Sequence, residues 1–151
     1  MAAYPAYNEM IVSGFNNTVV KPFILKDPAE KELNILKKVY GLSADKFFGP
    51  DNLIISSNGY AMLDQIVGLM NKFSVVKLEV AAHTDNSGLQ NTNQELSQKR
   101  AETIVTYLVQ RGIKSNRLVA KGFGGSRPIA TNYMEADRKL NRRIDFSIIR
   151  D

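Results

Sequence analysis

SVVKLEVAAH, residues Ser74 to His83, is the stretch on which the fold turns. Val76, Leu78, Val80 and Ala82 fall on one side, and Lys77, Glu79 and His83 on the other. That period of two marks a strand with one buried face. Asn86-Ser87-Gly88 closes the run with turn residues. A helical pattern follows from about Asn91 to Arg111, in which Leu96, Arg100, Ile104 and Leu108 are spaced by four and share a face. Ala101 and Val105 widen that stripe, and Gly112 stands where a left-handed C-cap is required.

Downstream of this strand–turn–helix unit, Leu118 to Phe123 (LVAKGF) reads as a strand. Gly124 to Asn132, with Gly125 and Pro128, reads as a loop. Met134 to Leu140 is predicted as a short helix, and Arg143 to Ile149 (RIDFSII) alternates as a final strand. Upstream, Asn52 to Ser56 (NLIIS) is a short strand candidate. Ser57 or Asn58 then caps a helix whose apolar positions Met62, Leu63, Ile66, Val67, Leu69 and Met70 recur at helical spacing. The order β-α-β-α-β-loop-β predicts an α/β (α+β) two-layer sandwich, a mixed sheet with helices packed on one face.

Residues 1–43 read differently. Tyr4, Pro5, Tyr7, Asn16, Asn17, Pro22 and Pro28 interrupt any long period, and only Pro28 to Tyr40 promises a helix, with Leu33, Leu36 and Tyr40 on one face. This portion is expected to be a linker or the remnant of a preceding domain, leaving 44–151 as the folded unit. Met1-Ala2-Ala3 carries no signal-peptide pattern and is expected to open an internal segment.

Composition narrows the function classes. At 151 residues and 44% apolar, one domain with a real core plus an extension is expected. The net charge of +5 favours anionic partners such as cell wall, nucleic acid or acidic lipid without choosing among them. The chain has no cysteine, which excludes disulfides, thiol catalysis and cysteine-ligated zinc. No run approaches the ~20 apolar residues that a membrane-spanning helix needs.

One helix position is anomalous. Arg100 falls on the apolar stripe, and a guanidinium there needs a carboxylate or strong acceptors, because an unpaired buried charge costs several kcal/mol. It either reaches the rim, pairs with a structural acid, or meets a ligand. Asn93 lies two turns earlier on the same side. Asp85 follows a strand end, in a loop expected over the start of that helix, where α/β sheets commonly bind ligands. An Asp beside an Arg makes a clamp for a zwitterion, the carboxylate taking an ammonium and the guanidinium a carboxylate. An internal salt bridge is the alternative.

His83 is the only histidine. With only Asp85 near, it lacks the partners of a metal site, and no nucleophile or oxyanion site accompanies it. A hydrogen-bonded structural role is expected, with no catalytic residue, metal or cofactor. Gly122-Phe123-Gly124-Gly125 lacks the Lys-Ser/Thr ending of a phosphate loop and reads as a turn. Of Arg142 and Arg143, entering the last strand, at most one can face a given site. The helices carry no basic–aromatic stripe and no GXXG clamp, which weighs against a nucleic-acid module. A processing enzyme would need a poised acid–base pair, a nucleophile or a metal.

Taken together, His83-Thr84-Asp85-Asn86-Ser87-Gly88, Asn93-x-x-Leu96-Ser97-x-x-Arg100-Ala101, Gly122-Phe123-Gly124, Pro128 and Asn141-Arg142-Arg143 resemble the OmpA-like peptidoglycan-binding domain over roughly 44–151. The resemblance implies a βαβαβ fold and non-covalent binding of diaminopimelate in the stem peptide of peptidoglycan. On that basis Asp85 and Arg100 would grip the zwitterionic end, Asn93 and Arg142 would add contacts, and Thr84 would be a further donor. It also implies a periplasmic place at the outer membrane and cell wall of a Gram-negative envelope. The partners would be the stem peptide and an upstream domain or envelope complex, as in a lipoprotein of a type IX secretion system. Ala82 departs from the family's usual Gly, and Gly125 from the acidic residue that commonly follows the Gly-x-Gly turn.

Overall fold

The structure, a computed structural model, describes residues 27–49 and 53–149. Among them the elements run α1 (Pro28–Tyr40), α2 (Ala44–Phe48), α3 (Ser57–Lys72), β1 (Lys77–His83), α4 (Gln90–Gln110), a 3-10 turn (Ser115–Arg117), β2 (Leu118–Gly124), α5 (Glu135–Asn141) and β3 (Arg143–Ile149). The three strands form a mixed sheet in the order β2-β1-β3. β1 pairs parallel with β2 and antiparallel with β3, so Val80 lies between Ala120 and Phe146. The alternation seen in the sequence is the reason: Leu78, Val80, Ala82, Ile144 and Phe146 are buried and join the helices in one core.

That core draws on every layer. Met62, Leu63, Ile66 and Met70 enter it from α3, Ala101, Ile104 and Leu108 from α4, and Phe47 and Phe48 from α2, with Phe47 6.2 Å from the Phe146 ring. Each such fully buried large side chain contributes roughly 1.5–3 kcal/mol. α1 packs on α3 and adds Ala29 and Leu33 to the same cluster. Asp27 caps it, its carboxylate accepting from the Ala29 N–H at 2.8 Å with Pro28 at the first helical position. Residues 1–26, the greater part of the segment set apart in the sequence, lie outside the described residues.

The strand expected over Asn52–Ser56 is not formed by its described residues. Leu53 to Ser56 run as bend and coil, and Ile55 buries its side chain. Ser56 is taken up in capping α3, its Oγ accepting from the Gly59 N–H at 3.1 Å. Helical capping therefore prevails over a short apolar run that periodicity alone could not assign.

β2 lies against α4 more closely than side chains would allow. A Cβ on Gly122 would stand 2.2 Å from the Gln98 backbone nitrogen, so only glycine fits. The same approach lets α4 satisfy the strand's outer edge. Gln98 Oε1 accepts from Gly122 N–H at 2.8 Å, Ser97 Oγ from Gly124 N–H at 2.9 Å, and Gln94 Nε2 donates to Gly122 O at 2.6 Å. An edge covered in this way does not recruit foreign strands. Between Ala82 and His83 the register slips by one, leaving Phe123 as a bulge residue and turning the end of β2 towards the loop that follows β1.

Candidate functional site

The loop after β1 is where polar groups go underground. His83, Thr84 and Asp85 are buried, as are Ser97 and Arg100 on α4 and Asn141 at the end of α5. Buried polar groups need partners, and these draw theirs from the loop itself, from the end of β2 and from the segment that follows it. Thr84 donates its amide to Gly124 O at 2.9 Å and its hydroxyl to Asp85 O at 2.7 Å. Asn93 Nδ2 donates to Ser87 O at 2.7 Å and to Asp85 O at 3.5 Å. Thr84 and Asn93 therefore hold the loop's shape, and both lie beside Asp85 as the sequence suggested.

Asp85 is held from two sides. Its Oδ1 accepts from the Ser87 N–H at 2.8 Å and its Oδ2 from Arg142 Nη1 at 2.6 Å. Burial works to raise its pKa, but the Ser87 amide and Arg142 outweigh it, and the carboxyl lies below its usual range. Arg142 stands among three carboxylates. Besides Asp85 it reaches Glu135 at 2.7 Å and Asp45 at 3.1 Å, and these bonds raise its pKa. Arg143 turns away, donating to Arg127 O at 3.0 Å and Asn141 O at 3.3 Å. One of the two adjacent arginines faces the site, as strand geometry requires.

Arg100 is 8% exposed, with its guanidinium 5.1 Å from the centre of the Phe48 ring. Burial lowers its pKa, the Asp45 charge opposes that, and the Arg142 charge adds to it. Arg100 thus shares one electrostatic neighbourhood with Asp45 and Arg142. The direct guanidinium partner of Asp85 is Arg142, an internal bridge that the helical spacing of Arg100 could not announce.

His83 departs from the hydrogen-bonded role expected for it. Its Nδ1 is buried without a partner, and the ring stacks on Phe123 at 5.2 Å. Burial, then the charge of Arg143, lowers its pKa to about 4 against a smaller opposing pull from Asp145, with Arg127 adding to the fall. It is neutral at neutral pH.

Two acids were missed, and Asn141, quoted only as part of a motif, was given no role. Asp45 and Glu135 lie in the first turns of α2 and α5, where acids usually serve the helix dipole, so nothing local marks them as site groups. Asn141 is fully buried. Its Oδ1 accepts from the amides of Ile129 and Ala130, and its Nδ2 donates to Ala130 O and Asn132 Oδ1. It fixes the 129–132 loop beside Arg142. No group of three or more metal-ligating side chains occurs among the described residues.

Residues 47–142 match the OmpA family. The chain is 36% identical over 111 residues to outer membrane porin F of Pseudomonas fluorescens, covering 74% of this chain and 34% of that protein. It is 29% identical over 101 residues to the peptidoglycan-binding protein ArfA of Mycobacterium tuberculosis, covering 67% of this chain and 31% of that one. It therefore spans about a third of the length of these relatives. Its structure is similar to that of the peptidoglycan-associated lipoprotein from Burkholderia pseudomallei, with a TM-score of 0.61 and 25% identity, covering 66% of this chain and 84% of that one.

Proposed function

This chain belongs to the OmpA family, and from that premise we propose that it binds peptidoglycan without cutting it, holding the diaminopimelate residue of the stem peptide and so anchoring the protein that carries it to the cell wall. The observation that carries the reading is a buried, ionised Asp85 at a strand end, with Arg142 bonded to it and Arg100 on the neighbouring helix. A free amino-acid end carries one ammonium and one carboxylate. Asp85 accepts the first, Arg100 takes the second, and Arg142 supports both from the side, with Thr84 and Asn93 holding the loop. The names of the relatives support binding to peptidoglycan, and a periplasmic place at the outer membrane and wall follows from it. The carrier would be an upstream domain or an envelope complex.

The same chemistry argues against hydrolysis. A carboxyl held below its usual range is a weak base, suited to an ammonium rather than to proton abstraction. Lysine-type stems lack the distal carboxylate, so the bond that Arg100 would make to it is missing there, at a cost of about 1–3 kcal/mol.

Calorimetric titration of a diaminopimelate-containing stem peptide into wild type, Asp85→Ala and Arg100→Ala tests the reading, with thermal melts confirming that the variants fold. Saturable binding to wild type, lost in both variants, is the expected result. Unchanged affinity in folded variants would reduce Asp85 and Arg100 to structural groups.

A further inference from the structure

The N–H groups of the Arg142 guanidinium are shared out unevenly among its three carboxylates. Nη1 makes one bond to Asp85, to Oδ2 at 2.6 Å. Nε donates to Asp45, 3.2 Å from Oδ2 and 3.3 Å from Oδ1. Nη2 donates to Glu135 Oε2 at 2.7 Å and to Asp45 Oδ2 at 3.1 Å. The causes that raise the Arg142 pKa fall in the same order, with the Glu135 bond first and Asp45 ahead of Asp85, against burial. The fold fixes both outer acids in place. The Ala44 N–H donates to Arg142 O at 3.0 Å, which pins the start of α2, and Glu135 also accepts from Arg138 Nε at 3.2 Å. The Asp45 and Glu135 side chains are about half exposed, so their ion pairs add little to stability.

We propose that Asp45 and Glu135 set the specificity of the Asp85 site, by occupying the outer edge of Arg142 and so keeping Asp85 charged towards an ammonium. The proposal rests on the stem-peptide reading above and deepens it. A guanidinium and a carboxylate that meet edge to edge form two bonds and largely cancel each other's charge. Asp85 receives only one bond from Arg142, which orients the carboxylate without spending the whole guanidinium on it. The same two acids deny the outer edge of Arg142 to a ligand's carboxylate, which is left to Arg100. Asp45, Asp85 and Glu135 stand against the guanidiniums of Arg100, Arg138 and Arg142, so the charges of these six balance and match a zwitterion. With both outer acids neutralised, one carboxylate would face three guanidiniums, and the site would favour an anion.

The test is calorimetry with two ligands, a tripeptide ending in diaminopimelate and the same tripeptide with hydrogen in place of its distal amine. They are titrated into wild type and Asp45→Asn/Glu135→Gln, and into Arg142→Gln with and without those two substitutions. Wild type should bind the zwitterion about tenfold tighter than the amine-free ligand, or about 1.4 kcal/mol. In the double variant that ratio should fall to about twofold, with the amine-free ligand bound no more weakly than by wild type. In the Arg142→Gln background the two substitutions should leave the ratio unchanged, because the acids act through Arg142. Both substitutions keep side-chain shape at half-exposed positions, and thermal melts check the fold. Should the double variant unfold, Glu135→Gln alone should lower the ratio part of the way. A tenfold ratio kept in the folded variants would overturn the proposal, as would an equal fall with Arg142 absent, which would mean that the acids attract the ammonium directly. Equal binding of both ligands by wild type would sink this specificity and leave peptide binding standing. No binding of the zwitterion to wild type would remove the stem-peptide reading and this one together.

Discussion

Arg117 and Arg142 are both part-buried arginines bonded to several oxygens, and they serve opposite ends of the molecule. Arg117 donates to backbone alone, to Val76 O and Met70 O at 2.9 Å and Phe73 O at 3.0 Å. Those carbonyls end α3 and lead into β1, so one guanidinium closes a helix C-terminus and starts the central strand. Arg142 donates to side chains alone, the carboxylates of Asp45, Asp85 and Glu135. Carbonyls are neutral and fixed, so an arginine among them belongs to the fold. Carboxylates carry charge that an incoming cation can share, and two of the three around Arg142 are about half exposed.

The largest effect should come from breaking the first kind. Arg117→Met keeps the apolar stem and removes every donor, leaving three carbonyls short of a partner. It should cost about 3 kcal/mol and lower the melting temperature by roughly 10 °C, while molecules that remain folded bind stem peptide as before. Arg142→Gln should do the reverse. Stem-peptide affinity should fall tenfold to a hundredfold, about 1.4–2.8 kcal/mol. Its stability loss should be smaller than that of Arg117→Met, because water reaches Asp45 and Glu135. Chemical denaturation and calorimetry on both variants measure the split. Equal stability losses, or an unchanged affinity in Arg142→Gln, would show that the two arginines do not differ in kind.

Much of this was legible beforehand because burial writes itself as periodicity. Ile144 and Phe146 placed the last strand over Arg143–Ile149, and the four-residue spacing through Ile104 and Leu108 placed α4 to within a residue at each end. Leu53-Ile54-Ile55 defeated the same logic. An apolar run that short fits a strand or a capped helix entry, and the Ser56 cap decides it. In the site, Asp85, Asn93 and Arg100 follow from loop position and helical spacing. The Asp85–Arg142 bond does not, because it closes over 57 residues and depends on how β3 returns beside β1. Asp45 and Glu135 were hidden for the same reason. Their role exists only once α2 and α5 are brought to one arginine.

A smaller effect separates the charges that hold the fold from those proposed to hold the ligand, and it uses pH. His83 has its pKa lowered from 6.5 to about 4 by burial first, then by Arg143 and Arg127 against Asp145. Between those values the unfolded chain binds a proton that the folded chain refuses. Stability from this group is therefore complete above pH 6.5 and declines as pH falls towards 4, by at most about 1.4 kcal/mol per unit. Asp85 is lowered from 3.8, so its contribution is present above pH 3.8 and lost only below it. Denaturation at pH 7, 5.5 and 4.5 should show wild type losing more stability than His83→Phe, a variant that can keep the stack on Phe123 and has no proton to gain. Stem-peptide affinity between pH 7 and 5 should stay level in both proteins, since Asp85 and the guanidiniums hold their charge throughout. An affinity that falls in step with wild-type stability, but not in the variant, would mean that His83 supports the Asp85 loop. Fold charge and ligand charge would then not be separable at this end of the sheet.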